Sequence, residues 1–179
     1  MGKQLLVKRQ LFTKKQWQRE GKLLCRYGSR ICFWIVFAAF GGILLWVHGS
    51  AALVYHAGLL PSCVPTLTIC FLLWLLAYAL SGCTLGFLLL PPCFHTSTGR
   101  REGMLCLLIY LLQLIWYPLF FSMLHPFLCI LSLGTAVILQ IWLLICSIRR
   151  FSLIMIAQFL SCLLEIYFLY VTFAVLLVN

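Results

Sequence analysis

The chain has 179 residues, 64% hydrophobic and 9% charged, and its 13 Lys and Arg against three Glu give a formal net charge of +10. Soluble domains run near half apolar and a quarter charged, so this composition excludes an ordinary soluble globular domain. It suits a bilayer, where every backbone polar group must be paired within helices or a closed barrel. The apolar runs are long and do not alternate, which favours helices at roughly 20 residues per crossing.

The chain opens on a basic arm, residues 1–30. Nine of the cations lie in it: Lys3, Lys8, Arg9, Lys14, Lys15, Arg19, Lys22, Arg26 and Arg30. Leu5, Leu6, Leu11, Phe12 and Trp17 are interspersed. Two readings stand for the arm: an interfacial helix on anionic lipid, or a disordered tail that sets topology. Its tether to a membrane sets nucleic acid aside as a partner. Met1–Gly2 is not a myristoylation site, because Leu6 stands where Ser or Thr is required.

Five apolar runs follow, at about 31–48, 65–90, 104–121, 126–147 and 151–178. Gly, Pro, Ser, His or Arg separate them, as connections require. The expected fold is therefore an all-α membrane protein, a five-transmembrane-helix bundle, with the domain at 31–179 behind the arm. If all five runs cross, the arm and the connections at 91–103 and 148–150 share one side, and these three segments hold every Lys and Arg. The connections at 49–64 and 122–125 hold none. Such asymmetry places the arm on the cytoplasmic-type side and selects five crossings over four. The first run begins thirty residues in and is followed by others, so it is not expected to be a cleaved signal peptide.

Chemistry-bearing motifs are absent from the sequence. There is no HExxH, GxSxG, phosphate loop or paired carboxylate, so an enzyme is not expected. His48, His56, His95 and His125 share no i, i+4 spacing, and no CxxC occurs. No metal or cofactor is expected. Of ten Cys, most (Cys32, Cys70, Cys83, Cys106, Cys129, Cys146, Cys162) lie inside apolar runs, where the residue behaves as a small buried hydrophobe.

Polar residues within the spans say more. Gln113, Gln140 and Glu165 fall near the middle of the third, fourth and fifth runs. Polar groups there face the bundle interior, either as a polar patch in a ligand cavity or as interhelical hydrogen bonds. Gly82-Cys83-Thr84-Leu85-Gly86 is a GxxxG, which permits close helix approach within the bundle or across a homodimer. Trp74, Tyr78, Trp116 and Tyr170 sit inside spans and are placed to line a pocket for a flat apolar ligand.

Four segments carry a family resemblance. They are Val54-Tyr55-His56-Ala57-Gly58-Leu59-Leu60-Pro61-Ser62 before the second run; Trp74, Tyr78 and Gly82 as W-x-x-x-Y-x-x-x-G within it; Gln113-Leu114-Ile115-Trp116-Tyr117-Pro118-Leu119-Phe120-Phe121 in the third; and Ile166-Tyr167-Phe168-Leu169-Tyr170-Val171-Thr172-Phe173-Ala174 in the fifth. In order and spacing these resemble the translocator protein family (TspO, the peripheral-type benzodiazepine receptors). Val54, Leu60, Cys63, Thr66, Gln113 and Tyr170 depart from its pattern, and the basic arm is longer than the family's. The resemblance implies a five-helix bundle, capped by the connection at 49–64, that binds sterols or porphyrins and serves lipid or sterol transport. It implies ligand contacts at Trp74, Tyr78, Gln113, Trp116, Pro118, Tyr167, Tyr170, Phe173 and Ala174. It also implies the mitochondrial outer membrane, with endoplasmic reticulum or plasma membrane as alternatives. Two other readings are a structural or assembly subunit without a ligand, and a porphyrin-degrading enzyme.

Overall fold

In a computed structural model of the chain, residues 2–48, 65–90, 94–121, 126–147 and 152–178 are described. They form five helices: α1 Gly2–His48, α2 Leu67–Leu88, α3 Ser97–Phe121, α4 Pro126–Ser147 and α5 Ser152–Val178. Each contains a stretch long and apolar enough to cross a bilayer. No strand occurs among the described residues. The connections at 49–64, 122–125 and 148–150, including His56, His125 and the proposed cap, lie outside them.

Two boundaries differ from the sequence reading. The basic arm and the first run form one uninterrupted helix of 47 residues, roughly 70 Å long at 1.5 Å per residue. Lys, Arg, Gln and Leu are good helix formers, so the change from charged to apolar side chains need not break the backbone. Helix α3 begins seven residues before Met104, within what reads as a connection. The Thr96 hydroxyl accepts the Gly99 N–H at 3.0 Å there, which satisfies one of the open donors of a first turn.

Helix α2 sits centrally, packed on α1, α3 and α5, while α4 closes the far side against α3 and α5. The close approach of α1 and α2 rests on small residues. Gly82 and Gly86 both face α1: a Cβ on Gly82 would lie 2.6 Å from the Trp34 carbonyl oxygen, and one on Gly86 3.2 Å from the Ile31 Cα. The GxxxG is thus spent inside the bundle. Tyr110 of α3 donates to the Ala38 carbonyl at 3.3 Å and ties α1 down from the other side.

The core is layered along the helices. At the end near Arg100 it is mainly aliphatic: Leu85, Leu88, Cys106, Ile109, Ala136 and Leu143. Toward the other end it is aromatic, with Trp74, Tyr78, Trp116, Tyr117, Phe120 and Phe168. Cys70, Cys106, Cys129 and Cys162 are buried thiols, as expected of small core hydrophobes, whereas Cys32 and Cys146 are exposed and Cys83 lies between.

Candidate functional site

Three helical stripes converge between the aromatic and aliphatic layers. Helix α2 presents Trp74, Tyr78 and Ser81, spaced by one turn each. Helix α3 presents Gln113, Trp116, Tyr117 and Phe120 on the same principle. Helix α5 presents Gln158, Ser161, Glu165, Phe168 and Thr172. All are buried, with Gln158, Ser161 and Thr172 fully excluded from solvent.

Where the stripes meet, four polar side chains from three helices form one network. Gln113 Nε2 donates to Glu165 Oε1. Ser81 Oγ donates to Gln113 Oε1 at 3.1 Å and lies 3.2 Å from Ser161 Oγ. Ser161 Oγ is also 3.4 Å from Glu165 Oε1. The donors can be allotted consistently: Gln113 gives to the carboxylate, Ser81 gives to the Gln113 carbonyl, and the single Ser161 proton is shared between two acceptors. Tyr78 adds a bond from its hydroxyl to the Gln113 backbone carbonyl at 3.1 Å.

The aromatic layer abuts this network. Trp74 is its hub: its ring centroid lies 4.6 Å from Trp116, 4.8 Å from Tyr78 and 5.2 Å from Phe168. Trp116 stacks on Phe120 at 5.0 Å. Such pairs add about 0.5–1.5 kcal/mol each beyond area burial. The two indoles differ in one respect. Trp116 Nε1 donates to Thr172 Oγ1 at 3.1 Å, and Thr172 passes its own proton to the Phe168 carbonyl at 2.7 Å. Trp74 Nε1 is buried and makes no hydrogen bond among the described residues, and neither does Glu165 Oε2. A buried donor left so costs about 1–3 kcal/mol.

Of the residues expected at a ligand site, Trp74, Tyr78, Gln113 and Trp116 come together in this cluster. Tyr167 packs at its edge with its ring 5.7 Å from Phe168, and Pro118 and Ala174 are half-buried. Tyr170 and Phe173 do not join them: they are 57% and 49% exposed on the outer surface of the bundle. Steps of two and five residues from Phe168 turn a helix by about 200° and 500°, away from the inward stripe. Phe168 and Thr172 hold the inward positions instead. Gln140 bonds the Gln158 backbone carbonyl at 3.3 Å and so ties α4 to α5 outside the polar network. Ser81, Ser161, Gln158 and Thr172 escape a reading by residue type, but helical spacing points to them, Ser81 from Trp74 and the other three from Glu165. Among the described residues no group of three His, Cys, Asp or Glu is placed to hold a metal.

The fold and this interior define an integral, multi-pass membrane protein. Comparison with models of known protein families, with curated proteins and with solved structures finds no match.

Proposed function

We propose that the protein is a divergent translocator-type protein that binds a hydrophobic ligand of the sterol or porphyrin class between α2, α3 and α5. The reading rests on one observation: the unsatisfied Trp74 N–H and Glu165 Oε2 atoms belong to one continuous assembly of aromatic side chains and polar groups. A flat apolar ligand carrying both a donor and an acceptor would separate the rings and satisfy both atoms. The sequence resemblance supports the same class of ligand. The role is non-enzymatic, in lipid or sterol handling, and the resemblance favours the mitochondrial outer membrane. The direct ring contacts at 4.6–5.4 Å favour a second reading, an assembly subunit whose core is simply closed.

Protoporphyrin IX and a sterol titrated into purified protein separate the two. Ligand binding predicts saturable quenching of Trp fluorescence by protoporphyrin, reversed by the sterol if they share the site. Trp74→Phe keeps the ring contacts and removes the N–H, so affinity should fall about fivefold, the worth of one neutral hydrogen bond. Quenching that rises linearly without saturation in the wild type supports the closed core.

A further inference from the structure

One face of α1 is unclaimed by the bundle and changes character along its length. Arg19, Lys22, Arg26 and Arg30 recur at intervals of three and four residues and are all exposed. The same interval continues through Phe33, Phe37, Phe40 and Leu44, which are 62%, 51%, 55% and 44% exposed. Four cations thus occupy about 16 Å of helix, and four large apolar side chains occupy the next 17 Å or so. The acid of this segment, Glu20, is buried, off this exposed face. Arg26 and Arg30 reach over the Tyr27 ring, with guanidinium carbons 5.5 and 5.8 Å from its centroid. Gln18, Lys22, Cys25 and Arg26 surround Gly21 on a shallow, open stretch of this surface.

We infer that this face of α1 is a binding surface for anionic phospholipids, whose phosphate-bearing headgroups meet Lys22, Arg26 and Arg30 while their acyl chains lie along Phe33, Phe37 and Phe40. The order of the two halves matches the order of a lipid: charge at headgroup depth, apolar side chains beneath it. Arg30 directly precedes the first apolar residue, Ile31, and Arg26 lies one turn further out. At 1.5 Å per residue Arg26 lies about 6 Å beyond Arg30, which keeps both within a headgroup layer roughly 5–8 Å thick. Lys22 and Arg19 extend beyond it, where bulky or multiply charged headgroups project. Charge decides against a second copy of the chain as occupant, since it would bring the same cations to the contact. Each cation near an anionic surface contributes roughly fivefold to affinity at low salt.

Native mass spectrometry of the detergent-purified full chain, mixed with phosphatidylserine or phosphatidylcholine, tests this. The wild type should retain phosphatidylserine at least tenfold better, with the preference falling as ammonium acetate is raised. Replacing Arg19, Lys22, Arg26 and Arg30 together by Gln should abolish the preference. Arg100→Gln with Arg101→Gln, which removes cations elsewhere on the same side, should keep it. The charge-preserving change of the three Arg to Lys should keep it too. Equal retention of the two lipids by the wild type overturns the inference without recourse to any variant. Equal loss from the α1 and the Arg100/Arg101 variants overturns it as well, since net charge alone would then account for the preference.

Discussion

Gly82→Val lowers the melting temperature of the purified protein by about 10 °C, the largest loss expected from a single substitution here. A Cβ at this position would meet the Trp34 carbonyl oxygen at 2.6 Å, the Ala38 Cβ at 2.7 Å and the Ile35 Cα at 3.0 Å. Two of these three atoms are backbone, so no side chain can rotate aside and α1 must move. Overpacking that only displaces side chains costs about 1–3 kcal/mol, and displacing a helix costs at least the top of that range. At about 2–4 °C per kcal/mol for a chain of this size, the shift reaches roughly 10 °C. Gly134→Ala is the control. Its Cβ would meet nothing within 4 Å, and replacing Gly by Ala in a helix interior gains up to about 1 kcal/mol. A Gly82→Val protein as stable as the wild type would mean that α1 does not pack on α2 as described.

Removing both partners of the Gln113–Glu165 pair costs less than the two single losses added together. Gln113→Leu strips the carboxyl of its principal donor and leaves Ser81 without its acceptor. A loss of about 3 kcal/mol is expected, because a buried polar group that loses its partner bears its full desolvation cost. Glu165→Leu orphans the Gln113 amide N–H and leaves the Ser161 hydroxyl only Ser81 as a partner, at about 2 kcal/mol. The double variant should fall short of the sum by at least 1 kcal/mol, the signature of direct coupling. Denaturation of all four proteins in one mixed micelle reads the cycle. Strict additivity would show that the two side chains act independently.

The count and approximate limits of the helices were legible because apolar runs of this length have few alternatives to crossing a bilayer. Their ends were less so. Helix α3 starts at a Thr96 cap, which a hydropathy reading passes over in favour of Met104. The interior face of each helix was legible only where polar or small residues mark it. In a soluble helix the apolar stripe locates the core. Here lipid is as apolar as the core, so Leu and Phe carry no directional information. Gln113 and Glu165 marked the inward faces of α3 and α5 correctly, and Gly82 marked that of α2. On α5 the motif spacing drew Tyr170 and Phe173 into the expected site, yet the phase fixed by Glu165 puts Phe168 and Thr172 inward. Counting in steps of 3.6 from Glu165 resolves that from sequence alone. The unsatisfied state of Trp74 beside the satisfied Trp116 was not legible, because it depends on where Thr172 lands relative to each indole.

The proposal that α2, α3 and α5 enclose a ligand stands most directly on where a bound ligand touches the chain. A photoactivatable sterol irradiated with the purified wild-type protein, followed by peptide mapping, measures this. The account predicts labels on Trp74, Trp116, Phe168 and Thr172, competed by excess unlabelled sterol. Labels confined to exposed residues such as Tyr170, Phe173 and Trp142, and unaffected by competitor, would contradict it.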